Sequence, residues 1–168
     1  MQKKVFQILA DNTSGVLSRI SGLFSRRAYN IESITAGTTA DPRYSRITIV
    51  ASGDDAILDQ IEKQVAKLVD VRDIKELKPD CSVYRELAMV KVRVDEMQRQ
   101  GVIALANVYR ANIVDVAVDS LMVELTGKQE KIDAFLKLLD GYEILELART
   151  GIAGLGRGTE GVIYLDKE

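Results

Sequence analysis

Histidine and tryptophan are absent from this sequence, and cysteine occurs once, as Cys81. Without histidine, neither the Ser-His-Asp nor the Cys-His nucleophile can be assembled, and zinc sites lose their usual ligands. A lone thiol with no base beside it reads as a bystander in a linker. It can form no internal disulfide, which suits a reducing cytoplasm. Long apolar runs are missing too: none reaches bilayer-spanning length, and Lys3 and Lys4 lead straight into a short strand-like segment, so no signal peptide is read. The expectation is a cytoplasmic protein with no membrane partner. Charge of one sign is not in excess: 23 basic against 25 acidic side chains give a net −2 and a pI near 5.4, which offers nucleic acid no electrostatic footprint. Carboxylates are plentiful but scattered. Asp54-Asp55 and Asp95-Glu96 read as charge at helix N-termini rather than as an acid–base pair. The balance is against an enzyme and against any metal or cofactor in this chain.

What is present is regular alternation between a period of two and one of 3.6. Lys4 to Leu9 reads as a strand, then the turn-like Asp11-Asn12-Thr13-Ser14-Gly15, then a helix whose apolar stripe is Val16, Ile20, Leu23 and Phe24, with Ser14 its N-cap. Residues 30–38 and 45–51 are β-rich around the turn Asp41-Pro42-Arg43. Ile57, Ile61, Val65 and Leu68 mark a second helix, and residues 69–77 close the unit as a strand. After Lys78-Pro79-Asp80 the order repeats. Ala88, Val90, Val92 and Val94 alternate as one buried strand face, Val102, Leu105, Ala106 and Tyr109 mark a helix, and residues 113–118 and 121–126 form a hairpin. Ile132, Phe135, Leu136 and Leu139 stripe a last helix, opened by a Thr126/Gln129 capping box, before a strand at 142–148. Arg27-Ala28-Tyr29-Asn30-Ile31 is echoed by Arg110-Ala111-Asn112-Ile113.

The fold class is therefore α+β: two tandem ferredoxin-like βαββαβ domains. The expected division is 1–78 for the first domain, 79–84 for a linker, 85–150 for the second domain and 151–168 for a glycine-rich C-terminal tail. Helices cover one face of each four-stranded sheet. The other face, with Val5 and Leu9 in the first strand, needs the sibling domain or a second copy of the chain, and dimerisation is expected.

Three short matches remain. Gly156-x-Gly158-x-x-Gly161 fits the phosphate-binding fingerprint in letters but precedes no helix, so a glycine-rich tail is the reading. RNA recognition on such a sheet stacks bases on aromatics, and segments 45–51 and 86–94 have none. The third is Asp11-Asn12-Thr13-Ser14-Gly15-Val16-Leu17, which puts a glycine at a helix N-terminus directly after a strand. Unpaired amides and the positive dipole end there suit a carboxylate, and a residue without Cβ lets a ligand approach.

Asp11-Asn12-x-x-Gly15-x-Leu17-Ser18-Arg19 and Gly22-Leu23-Phe24-Ser25-x-Arg27-x-Tyr29-Asn30-Ile31-Glu32-Ser33 closely resemble the ACT domain of acetohydroxyacid (acetolactate) synthase small subunits. The resemblance continues through Asp41-Pro42, Ser45-Arg46, Gln60-Ile61-Glu62-Lys63-Gln64 and Lys67-Leu68-Val69-Asp70-Val71. It ends on Arg85-Glu86-Leu87, Glu146-x-Ala148-Arg149-x-Gly151 and Leu155-x-Arg157-Gly158. It implies that the first domain is an ACT domain and that the chain is a non-catalytic regulatory subunit. Such a subunit activates a catalytic large subunit of acetolactate synthase, in branched-chain amino-acid biosynthesis, and confers feedback inhibition by valine, with leucine and isoleucine as alternatives. Thiamine diphosphate, Mg2+ and FAD are expected on the catalytic subunit. The resemblance further implies a homodimer through the ACT domains, with Asn12, Gly15, Val16 and Leu17 of one chain facing Asn30 and Ile31 of the other. Helix amides would take the effector's carboxylate, the Asn30 oxygen its ammonium, and Leu17 with Ile31 its branched side chain. A modest fold cost for Gly15→Asp requires Gly15 at negative φ, and the letters do not fix its sign. The residues alone leave a second class open, a free-standing amino-acid-sensing module acting on another partner such as a transcription factor.

Overall fold

The computed structural model describes residues 1–163, which form two compact units: residues 1–84 with the stretch from Ile152 onward, and residues 85–151. In the first unit, β1 (Gln2–Asp11), α1 (Val16–Arg26), β2 (Asn30–Thr38), β3 (Tyr44–Gly53), α2 (Asp55–Val65) and β4 (Val71–Glu76) follow in that order. The sheet is antiparallel, ordered β2-β3-β1-β4. Side chains two apart share a strand face, so Phe6, Ile8 and Ala10 meet Ile47, Ile49 and Ala51 on the helix side. The α1 stripe of Val16, Ile20, Leu23 and Phe24 closes over them. From α2 the buried residues are Leu58, Ile61 and Val65. Ile57, expected on this stripe, is exposed, because Asp54 caps α2 by accepting from the Ile57 amide at 2.8 Å and Leu58 takes the inward position. Each fully buried Phe or Ile here contributes on the order of 1.5–3 kcal/mol.

The second unit repeats the plan. β5 (Ser82–Arg93), whose first residues belong to the first unit, is followed by α3 (Glu96–Val108), β6 (Asn112–Val116), β7 (Ser120–Gly127), α4 (Gln129–Leu138) and β8 (Glu143–Arg149). Its sheet runs β6-β7-β5-β8. The alternation expected at 88–94 holds, with all four residues buried against Val102, Ala106, Ile132, Phe135 and Leu139. The expected Thr126/Gln129 capping box does not form. Thr126 and Gly127 extend β7, and α4 starts after Lys128 with no side-chain cap.

Both first helices end alike. Tyr29 donates to the Phe24 carbonyl at 2.9 Å and Ala28 to Ser25 at 3.2 Å; Ala111 donates to Ala106 at 2.8 Å and Arg110 to Asn107 at 3.2 Å. These are Schellman closures, with Ala28 and Arg110 in the left-handed region at φ 54° and 55°. The echo therefore aligns Ala28 with Arg110 and Asn30 with Asn112, one residue off the letter match at the helix end. Each following strand then bulges at the same place, between Ile31 and Ser33 and between Ile113 and Asp115.

The expected division of the C-terminal stretch needs restating. Ser82 already lies in β5, and the segment read as a tail begins with a buried residue and a strand, β9 (Ala153–Gly156), which pairs β5. Ile152 packs with Val5, Val50 and Leu77. Gln7, buried on the same sheet face, donates to the Gly154 carbonyl at 3.0 Å, and Arg157 donates to Cys81 at 2.8 Å. An apolar sheet face with one buried amide is thus covered by this unit's own chain. The rest of the tail, 164–168, lies outside the described residues. Among the described residues no helix is long and apolar enough to cross a membrane.

Candidate functional site

The β1–α1 connection is built on a glycine that only a glycine tolerates well. Gly15 stands at φ 84°, ψ −5° and is the N-cap of α1, so the negative φ that a mild Gly15→Asp requires is not met, and Ser14 is not the cap. The left-handed conformation turns the chain from strand into helix within a few residues. It leaves the amides of Val16, Leu17 and Ser18 without an intrahelical acceptor. No side chain caps them, and the first turn carries no acidic residue. The positive end of the α1 dipole is open to an anion.

The neighbours lock this loop. The Asn12 amide donates from its backbone to Arg43 at 2.8 Å, and its side chain donates to Pro42 O at 2.9 Å while accepting from Ser45 Oγ at 3.0 Å. Asn12 thereby fastens the loop to the β2–β3 turn. On the other side Arg72 holds Asp11 with two bonds, Nε–Oδ1 at 2.7 Å and Nη2–Oδ2 at 3.1 Å. The Arg19 Nε donates to Asp70, which lays the guanidinium over Gly15, and the Asp11 amide donates to Asp70 O at 2.8 Å. Sequence reasoning missed Asp70 and Arg72 as supports. The signal was Asp70-Val71 within the family string, but nothing local says that residues some sixty positions apart meet across β1 and β4.

Val16 is buried in the core, so only its backbone can face a ligand, whereas Leu17 is 47% exposed. Ile31 is half-buried against the core. Asn30 donates from Nδ2 to Ser52 Oγ at 2.8 Å, which leaves its carbonyl oxygen to accept. The structure brings Asn12, Gly15, Val16 and Leu17 together and keeps Asn30 and Ile31 away from them. Asp11 pairs Tyr44 and Asn30 pairs Ser52, eight residues apart along β3, which is about 27 Å at ~3.4 Å per residue. Within one chain these six residues form two half-sites at opposite ends of one sheet. Among the described residues no cluster of three or more His, Cys, Asp or Glu could hold a metal ion.

A βαββαβ unit with this glycine turn and an open first-helix N-terminus is an ACT domain. A family model described as the AHAS small subunit-like ACT domain matches residues 6–73, and one described as the small subunit of acetolactate synthase matches 85–158. This chain belongs to the acetolactate synthase small-subunit family. It is 49% identical over 156 residues to the probable acetolactate synthase small subunit of Methanothermobacter thermautotrophicus, covering 92% of this chain and 93% of that one. It is 45% identical over 157 residues to the acetolactate synthase isozyme 3 small subunit of Salmonella typhimurium, covering 93% and 96%. The crystal structure of the acetolactate synthase small subunit from Thermotoga maritima superposes with a TM-score of 0.88 at 38% identity, over 94% of this chain and 99% of that one.

Proposed function

We propose that this chain is the non-catalytic regulatory subunit of acetolactate synthase. It binds the catalytic large subunit, raises its activity and makes it sensitive to valine, with leucine and isoleucine as alternative effectors. The reaction and its thiamine diphosphate, Mg2+ and FAD reside on the large subunit. The effector sits between the ACT domains of two chains, with its carboxylate beside Asn12 and Gly15 of one, on the open α1 amides of Val16, Leu17 and Ser18. Asn30 of the other accepts from its ammonium, and Leu17 and Ile31 pack its side chain. The observation that carries this reading is the separation of the two half-sites: one end of the sheet offers donors for a carboxylate, the other an acceptor for an ammonium, and a two-fold axis joins one chain's first end to another's second.

Reconstitution with the catalytic subunit tests it. Acetolactate formation from pyruvate rises on adding this chain, valine reverses the rise, and this chain alone makes none. Because the effector binds the dimer and not the monomer, valine raises the melting temperature and shifts a dilute sample toward dimer in sedimentation. Turnover by the isolated chain would remove the regulatory reading. Equal valine affinity in an enforced monomer would remove the shared pocket.

A further inference from the structure

On the face of the first sheet away from the helices lies a cleft of ≈ 230 Å³, room for about eight waters at ~30 Å³ each, enough for a small amino acid. Its floor follows from the strand register. Leu9 pairs Arg46 on one side and Asp73 on the other, and two residues back Gln7 pairs Thr48 and Lys75. Residues two apart share a face, so Arg46, Asp73 and Lys75 stand around Leu9. The roof is the stretch from Leu155 to Ile163. It is held down where Lys75 Nζ donates to Gly161 O at 2.9 Å and Gln7 to Gly154 O. The glycines of the Gly156-x-Gly158-x-x-Gly161 match line this cleft, with Gly158 and Gly161 both at φ 69°.

Arg46 and Asp73 are half-buried. Among the described residues neither makes an ion pair or a side-chain hydrogen bond, although both face the same space across one leucine. Half-buried charges are costly unless paired. A simple anion would satisfy Arg46 and be repelled by Asp73, and a simple cation the reverse. A zwitterion satisfies both, while Leu9 and Leu155 offer it an apolar wall.

We propose that this cleft is a second amino-acid site contained within one chain. It takes an α-amino acid with a small apolar side chain, its carboxylate on Arg46, its ammonium on Asp73 and its side chain on Leu9. It stands apart from the interface pocket and needs no second copy.

L-valine titrated into the full chain, followed by methyl NMR, tests this. Saturable shifts are expected at Leu9 and Leu155, in wild type and in Asn30→Ala alike, whatever happens at Leu17. Arg46→Gln and Asp73→Asn should each weaken these shifts' apparent affinity by about tenfold or more. Isovalerate and isobutylamine, which each carry only one of the two charges, should be weaker by a similar factor. The absence of saturable shifts at Leu9 and Leu155 in folded wild type overturns the site. Shifts that vanish in Asn30→Ala make them an echo of the interface pocket, and isovalerate binding as well as valine makes the cleft an anion site; either result overturns the proposal.

Discussion

The two halves of this molecule share a plan down to a left-handed Ala28 and Arg110, a bulge one strand later and an asparagine opening the next strand, yet they part at the first strand-to-helix connection. In the first half four residues, Asn12 to Gly15, turn the corner and leave the α1 amides uncapped. In the second, Val94 and Asp95 suffice. There Asp95 accepts from the Gln98 amide at 2.7 Å while the Gln98 side chain accepts from the Asp95 amide at 3.2 Å, a complete capping box. The second helix supplies its own carboxylate, whereas the first leaves that position to something else. What folding requires is common to both halves; what differs is where a ligand with a carboxylate would go. The halves also part in how they spend charge. Glu86, 4% exposed, is gripped by Arg149 at 2.8 and 3.0 Å, and Arg149 also reaches Asp133 at 2.8 Å. The bond to Glu86 holds the guanidinium firmly protonated. The first half has no buried pair of this kind among the described residues; its ion pairs stay partly exposed, some around the β1–α1 loop and others at the start of β1, where Lys3 meets Glu32 and Lys4 meets Asp59 and Glu76.

The largest expected effect falls on that pair. Arg149→Ala strands a buried carboxylate and should destabilise the second unit by about 3–5 kcal/mol, a fall in Tm of roughly 12 °C or more. The double change Glu86→Leu with Arg149→Met should recover most of it, since apolar replacement of a buried pair is often neutral. Chemical denaturation reads both, and a single mutant as stable as the double would show that water already serves Glu86.

Closing the open helix of the first half is the next test. Gly15→Asp places a carboxylate where the effector's own should sit and should weaken valine by roughly a hundredfold or more, at about 1.4 kcal/mol per tenfold. At φ 84° the change also strains the backbone by about 1–3 kcal/mol, and the Cβ would come within 2.9 Å of Arg19 Nη1, a flexible group that can move. Gly15→Asn separates the two causes, because asparagine tolerates this conformation without the charge. Inhibition assays of the reconstituted enzyme should find the aspartate far more resistant than the asparagine.

A third contrast concerns the outer sheet faces. Ile152→Ala should cost the first unit about 2–3 kcal/mol, because Ile152 fills the cover over Val5 and Val50. Met89→Ala, on the open outer face of the second sheet where Met89 is 41% exposed, should stay within about 0.5 kcal/mol. Equal costs by thermal melts would mean that the second face is covered in solution as well.

Much of this was legible in the letters because period and burial are local. The alternation at 88–94 and the stripes of α1 and α4 needed only a window of residues to declare which side faces inward. Ile57 and Leu58 show the limit: both fit a helical stripe with Ile61 and Val65, and the choice fell to the capping geometry at Asp54. Position 15 shows another, since a glycine reads the same at either sign of φ. The six expected effector residues could be named as one set, but not that about 27 Å of β3, at ~3.4 Å per residue, divides them. Ile152 was unreadable because its partners Val5 and Val50 lie a hundred or more positions away, and a glycine-rich stretch carries no period to announce a strand.

The smallest effect bears most directly on how the halves differ. Asp95→Ala removes a side-chain cap and should destabilise the second unit by about 1 kcal/mol, within the usual range of ~0.5–2 for such caps. Ser14→Ala, at the residue that composition nominates as the equivalent cap, should change stability by less than about 0.5 kcal/mol, since Ser14 contributes only its carbonyl, at 3.5 Å from Arg19 Nη2. Valine should then act on the two helices unequally. Its carboxylate can replace a cap only where none exists, so saturating valine should slow amide exchange at Val16, Leu17 and Ser18 and leave Gln98 unchanged. In Asp95→Ala the second helix gains an open N-terminus but no glycine turn and no facing asparagine, and valine should still leave it unprotected. Protection appearing there would mean that an uncapped helix end suffices to bind the effector, and the difference between the halves would reduce to one side chain.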